Sequence, residues 1–429
     1  MKIQNFEQLA VTDARRALLT IAEAGLTAID TERVVRETVR LDGDILSYDG
    51  ETIDFSQTGK IVFIAIGKCA ADAAMAIESI LGDHITRGVV VDVRVCPESK
   101  RLKTFCGTHP LPSDENLHAA EAIMETLEGL TERDAVLFVI SGGGSTLLFL
   151  PVDKRNREEV TIFNALTNAG ATIQEMNIVR RHLSLARGGY LAKAAYPARV
   201  ISLIMSDIPG DELTAIASGP TVKDITTVED AVGVLQKYDV PRICPIESYG
   251  LIETPKDDKY FARVTNHIVV SNKRALEAMS AAAEKMGFHA TIRGAELTGE
   301  AREVGLAVAN ELRVAPRKTA LLWGGETTVT VHGTGGRGGR NQELSAVALA
   351  VIQDGEEILS LASDGRDHGP CAGAICDIMT KKAAMAAGLD AETFLNKSDI
   401  YSFFERVGNC VMTGDTGSNV SDLIIALKM

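Results

Sequence analysis

Short runs of continuous apolar residues recur along the chain, each followed by a glycine-containing turn and a longer amphipathic stretch. Segment 59–81, GKIVFIAIGKCAADAAMAIESIL, shows the whole unit. Related units follow at 88–93 with a helical pattern at 114–129, at 134–150 and at 198–217. Unbroken β-branched runs bounded by glycine suit strands buried on both faces of a parallel sheet. Their alternation with helical patterns predicts an α/β layered architecture. Before them, residues 6–40 place apolar and charged positions at helical spacing.

The stretch 241–265, PRICPIESYGLIETPKDDKYFARVT, breaks this grammar with three prolines and no clean periodicity, and a domain boundary is placed there. A second α/β series is expected after it. It comprises strand 267–271, helix 273–287, strand 289–293, helix 298–313, strands 319–323 and 327–332, helix 340–354 and strand 358–363, with one or two strands in the tail 408–427. The resulting division is 1–245 and 246–429, and the helices within 1–40 can pack on either part.

The apolar runs Ile61–Ile66, Val136–Ile140 and Ile201–Met205 fall far short of the ~20 residues of a membrane-spanning helix. The amino end has no secretory h-region, and the seven cysteines form no CxxC pair or zinc-ligand spacing, so a cytoplasmic location with free thiols is expected. Lys plus Arg total 44 and Asp plus Glu 58, a net charge of −14 that argues against a nucleic-acid partner.

The 38 glycines are clustered, and four glycine-rich loops fall at carboxyl ends of expected strands, where open α/β sheets bind ligands. In the first, Gly67-Lys68 precedes a helix, which offers an anion backbone N–H groups and a full charge. The alternative is a solvated lysine in an ordinary βα turn. The second, SGGGS, carries Gly142, Gly143 and Gly144 with Ser145 at its rim, a backbone concavity suited to phosphate or carboxylate. GxxxxGK[ST] occurs nowhere in the chain, and the SGGGS loop does not meet the dinucleotide GxGxxG pattern.

The third cluster spans 177–221. Asn177, Arg180, Arg181, His182 and Arg187 precede a strand, and Asp207, Asp211, Ser218, Gly219 and Thr221 follow it. Acids at a strand end facing a basic segment suit a magnesium–phosphate site, for which Asp207 is the candidate ligand. Asp211 reads equally as a helix cap and His182 as a structural residue. The fourth loop, WGGETTVTVHGTGGRGGRNQEL, has seven glycines within 324–339 and places Glu326, Arg337, Arg340 and Asn341 at turns and a helix start. Either arginine can grip a carboxylate or phosphate bidentately. A weaker loop, SDGRDHGPCAGA, offers Asp364 and Asp367 as metal or turn residues. Phosphate-type loops and strand-end acids, without a Ser-His-Asp or zinc arrangement, point to phosphoryl transfer.

The motifs GKCAADAAMA, THPLP (108–112), SGGGS, NIVRRHLS, SDIPGDELTAIASGPT, GGETTV, GRGGRNQEL and TGDTGSNVSDL occur in order over roughly 60–425. Together they resemble the class II glycerate 2-kinase family, whose carboxyl-terminal part is the MOFRL domain, here about 315–427. The resemblance implies two α/β domains, the first a Rossmann-like three-layer domain, with an interdomain cleft. It implies ATP-dependent phosphorylation of D-glycerate to 2-phosphoglycerate with Mg²⁺ or another divalent cation. The partners are then a small organic acid and a nucleotide, with no nucleic acid or membrane, in a monomer or homodimer. By motif, Lys68 and Arg340 are the expected active-site residues, with Arg337 the alternative to Arg340.

On this reading Lys68, Arg340 and Asp207 are catalytic, Ser145, Arg180, Asn177 and Arg337 bind substrate, and Asp207 and Asp364 hold the metal. Gly142, Gly143, Gly144, Ser218, Gly219, Glu326 and Asn341 bind nucleotide phosphates. The segment SDGRDHGPCAGA is shorter than the family pattern and carries Arg366 where threonine is usual, a departure at the metal or nucleotide contacts. The alternative functions are an NAD(P)H-dependent hydroxypyruvate reductase and a non-catalytic sugar-phosphate or organic-acid binding protein.

Overall fold

The structure, a computed structural model, describes all residues except 97, 154–157, 245–248 and 333–334. The expected boundary at 245–246 and part of the fourth glycine loop thus lie outside the described residues. The chain forms two compact units. One comprises Thr31–Ser206 and Asp211–Val269, the other Met1–Asp30, Asp207–Gly210 and Val270–Met429.

The first unit is built on a six-stranded sheet ordered Leu102–Cys106, Arg87–Asp92, Ile61–Ile66, Ala135–Ser141, Arg199–Met205 and Val264–Val270. The pairings among the first five are parallel, with Ile64 opposite both Val89 and Phe138. Every residue of Ile61–Ile66 and of Ala135–Ser141 is buried, as two covered faces require. In chain order the strands stand 3-2-1-4-5-6, the Rossmann arrangement, and order reverses between Ile61–Ile66 and Ala135–Ser141. Those two strands end at Gly67-Lys68 and at SGGGS. The strand read at 267–271 is Val264–Val270, an edge of this sheet. A separate three-stranded antiparallel meander covers Val39–Asp42, Ile45–Tyr48 and Glu51–Asp54.

The second unit has a mixed sheet ordered His289–Leu297, Thr319–Gly325, Asp422–Lys428, Glu356–Ala362, Gly373–Cys376 and Cys410–Val411. Only the first pairing is parallel. The tail strand Asp422–Lys428 sits between two neighbours, with Asp422 opposite Gly325 on one side and Ala362 on the other. This register gathers Glu326, Asp364 and Asp422 at one sheet end. Residues 327–332, expected as a strand, form only an isolated bridge between Thr328 and Glu300, because no described strand pairs with the rest. The helix Asp13–Ala28 belongs to this unit through Arg15, which is buried and binds Asp377 at 2.5 and 2.8 Å and Asn409 at 2.8 Å. No described helix is long and apolar enough to cross a membrane.

Candidate active site

At the switch point of the parallel sheet the backbone turns too tightly for a side chain. Gly67 has φ +121°, and a Cβ there would lie 2.1 Å from Ser141 Oγ. The N–H groups expected to await an anion are already used: Lys68 N donates to Gly142 O, Ala70 N to Gly67 O, and Ala71 N to the buried Asp92 carboxylate at 2.9 Å. What remains unspent is the Lys68 side chain. It is half-buried, and its ammonium makes no hydrogen bond or ion pair with a described residue. It lies along Gly143, its Cγ and Cε 3.1 and 3.3 Å from where a Gly143 Cβ would stand.

The SGGGS loop differs from the Gly67 turn. Gly143 sits at φ +81°, and the N–H groups of Gly143, Gly144 and Ser145 meet no acceptor among the described residues. Such a row of free amides is a ready cradle for phosphate oxygens. Ser145 Oγ lies 2.9 Å from Ser218 Oγ, joining this loop to the segment after Arg199–Met205. Gly219 (φ +57°) and Ser218 also accept from Gly189 N and Gly188 N, so they tie two loops together.

The helix Ile173–Arg181, opened by a Thr172–Glu175 capping box, carries Asn177 and Arg180. Asn177 is buried. Arg180 stacks on Phe163 at 4.1 Å, and its Nε is buried without an acceptor among the described residues. Burial first, and then the charge of Arg187, lower its pKa to about 10. Neighbouring basic residues are structural: Arg181 pairs with Asp224 at 3.2 Å, and His182, wholly buried, is bound to Ile252 O at 2.7 Å. His109, which the residue-by-residue reading passed over, also lies against Gly143, its Cδ2 3.4 Å from the Cβ position. Its only signal in the sequence was its place in THPLP.

The second unit holds the other candidates. Arg340 opens the helix Arg340–Val351 and forks onto Asp422, with Nε 2.5 Å from Oδ2 and Nη2 3.0 Å from Oδ1. Its Nη1 is 2.8 Å from Glu326 Oε1. Burial opposes the charge on Arg340, but Asp422, Glu326 and Asp367 more than offset it and raise the pKa. Burial pushes Asp422 up to about 7, against the pull of Arg340.

The amino end of this helix is not open to a ligand. Asp367 accepts from Asn341 N at 3.1 Å and Gln342 N at 2.8 Å, and Asn341 Nδ2 donates to Asp422 at 2.8 Å. Burial raises Asp367, while these donors pull the other way. The Arg366 departure leaves this cap intact. Arg337 does not join Arg340: its guanidinium stacks on Tyr401 at 4.4 Å and lies 3.8 Å from the Glu405 carboxylate.

Asp207, grouped with this unit, accepts from Ser421 Oγ through its carbonyl at 2.7 Å, and Asp364 accepts from Arg366 N at 2.9 Å. Both are half-buried. Among the described residues no three or more His, Cys, Asp or Glu side chains form a metal-holding group. Two partly open carboxylates suit a hard cation that shares its coordination with substrate oxygens and water, and do not suit a closed structural site.

Two family models match: the Domain of unknown function (DUF4147) over residues 17–249 and the MOFRL family over 319–422. A glycerate 2-kinase of Pyrococcus horikoshii is 37% identical, covering 97% of each chain. A putative hydroxypyruvate reductase of Agrobacterium vitis is also 37% identical, over 85% of this chain and 86% of that one. The crystal structure of a glycerate kinase from Thermotoga maritima superposes with a TM-score of 0.85 at 33% identity, covering 96% of this chain and 99% of that one. With its Rossmann-like first unit and its MOFRL segment, the chain belongs to the glycerate 2-kinase family.

Proposed function

We propose that the protein transfers the γ-phosphoryl group of ATP to the 2-hydroxyl of D-glycerate, giving 2-phosphoglycerate and ADP. Family membership supports this substrate pair. The observation that carries it is the set of unspent donors at the switch point: the Lys68 ammonium, the Arg180 Nε and the free amides of Gly143–Ser145. Donors without acceptors among the described residues, in a half-buried place, await an anion, because leaving them unpaired is costly.

Phosphoryl transfer asks the protein for positioning and charge neutralisation. We assign the SGGGS amides to phosphate oxygens, with Ser145 and Ser218 at the rim. Lys68 offsets charge on the transferring group or on the glycerate carboxylate. Arg180 binds substrate, with Asn177 beside it on the same helix. Arg340, held in one orientation by Asp422 and Glu326, presents its remaining N–H groups to an anionic oxygen, and Asn341 fixes Asp422 behind it. Asp207 and Asp364 are the carboxylates assigned to magnesium, which when bound neutralises phosphate charge. Arg337, occupied by Tyr401, is given no part.

The test is phosphorus NMR of the product formed from glycerate, ATP and Mg²⁺. A 2-phosphoglycerate resonance is expected, and its absence, with ATP unconsumed, overturns the proposal. Hydroxypyruvate with NADH in a parallel cuvette checks the reductase name borne by the Agrobacterium vitis relative. No consumption of NADH is expected, because no GxGxxG directly follows a described strand.

A further inference from the structure

We infer that His109 is a catalytic residue of the first unit, the acceptor of the proton that the substrate hydroxyl loses. The inference rests on the kinase reading above. The loop carrying His109 is built to hold it still. Asn116, fully buried, accepts from Thr108 N at 2.8 Å and donates to Thr108 O and Thr146 O, each at 3.0 Å. Thr146 in turn donates from Oγ1 to Pro110 O at 3.2 Å. Both flanks of His109 are thereby tied to the segment that continues SGGGS. The ring then lies beside Gly143 next to the Lys68 chain.

A structural histidine in this protein looks different. His182 is wholly buried, with Nδ1 2.7 Å from Ile252 O and Nε2 3.3 Å from Thr226 Oγ1. Neither ring nitrogen of His109 hydrogen-bonds to a described residue. An imidazole carried on a backbone pinned at both flanks, with neither ring nitrogen bonded to a described residue, beside a lysine whose ammonium is likewise without a described partner, is arranged for a ligand. His109 is an exposed residue, and the partial burial of its ring, followed by the charges of Lys68 and Arg180, lowers its pKa to about 4. The ring is therefore neutral near pH 7 and has a nitrogen lone pair to offer.

In the step proposed, the hydroxyl oxygen bonds to the γ-phosphorus as the β–γ bridging P–O bond breaks. ADP leaves with that electron pair, and the hydroxyl proton passes to the imidazole and then to water. Anionic phosphates and carboxylate beside Lys68 and Arg180 cancel the charges that depress His109, so its basicity rises when substrates are bound.

Two measurements test this on the full chain. NMR titration of the histidine rings is expected to give a His109 pKa near 4 in the free protein, rising by about one unit or more when a non-hydrolysable ATP analogue and glycerate bind. An unchanged value overturns the inference. In kinetics, His109→Ala should lower kcat about 100-fold with little change in either KM, and added imidazole should restore part of the rate. His109→Asn, which keeps the shape without the base, should stay low. A His109→Ala rate close to wild type, or recovery by His109→Asn but not by imidazole, rejects the role. If His109→Ala does not fold, the titration of the wild-type protein decides alone. Wild-type protein that makes no 2-phosphoglycerate defeats the kinase reading and this inference together, whereas active wild type with an indifferent His109 defeats this inference only.

Discussion

The guanidinium of Arg340 forks onto the Asp422 carboxylate at 2.5 and 3.0 Å, across 82 residues of sequence, while its third nitrogen reaches Glu326. Asp422 thereby fixes which way Arg340 points. Because burial lifts Asp422 to about 7, the anchor is ionised above that pH and protonated below it. Turnover should therefore fall as pH drops through about 7, as the charge orienting Arg340 is lost. Asp422→Asn should be slow and should lack this limb. The pH dependence of kcat for the two proteins checks the prediction, and an unchanged limb in the variant rejects it.

Lys68 and Arg340 should separate by stability. Lys68 makes no side-chain bond to a described residue, so Lys68→Ala should shift the urea midpoint by no more than about 0.5 kcal/mol in stability while lowering kcat/KM about 10³-fold. Arg340→Ala should lose a similar rate and also about 3 kcal/mol of stability, because Asp422 stays buried without its partner. Equal stability losses in the two variants contradict this division.

The sequence was most legible where burial is two-sided. IVFIAI and AVLFVIS announce themselves because a strand covered on both faces has no polar positions, and the glycines after them mark turns that Gly67 and Gly143 require. The meander Val39–Asp42, Ile45–Tyr48 and Glu51–Asp54 was missed, since four-residue, half-exposed strands such as ETID carry too few apolar positions for a period to register. Conversely, TTVTV at 327–331 alternates well, but among the described residues only Thr328 pairs, in an isolated bridge with Glu300. Local pattern also said nothing of who satisfies whom. Asp367 fills the helix start that glycines at 335–339 advertise, Asp92 fills the one after Gly67, and Tyr401 takes Arg337. Such pairings join distant segments and follow from sheet register and loop packing, to which periodicity is blind.

Glu357 should make stability fall with rising pH. It is buried, and burial followed by the charge of the neighbouring Asp377 raises its pKa to about 9. Asp377 itself, though opposed by burial, is lowered by its bond to Arg15, so Glu357 carries the proton. A carboxyl with a raised folded pKa stabilises fully below its unfolded value, near 4.5, and loses that contribution as pH rises through 9. At about 1.4 kcal/mol per pKa unit the change amounts to several kcal/mol. Thermal unfolding between pH 5 and 9 should show the decline in wild type and a flatter curve in Glu357→Gln.

Gly143→Ala tests whether the SGGGS loop is functional or merely a turn. A side chain at φ +81° costs about 1–2 kcal/mol wherever it occurs. At Gly143 the new Cβ also meets Lys68 Cγ at 3.1 Å, Lys68 Cε at 3.3 Å and His109 Cδ2 at 3.4 Å. These are side-chain atoms that yield, so the added cost falls on their positions rather than on folding. Gly50, at φ +83° with nothing within 4 Å of its Cβ position, supplies the control. Both alanine variants should lose similar stability in urea. Only Gly143→Ala should weaken binding of a non-hydrolysable ATP analogue, by about tenfold, which is about 1.4 kcal/mol by calorimetry. Equal nucleotide affinity in the two variants would mean that the loop's amides do not receive the phosphates.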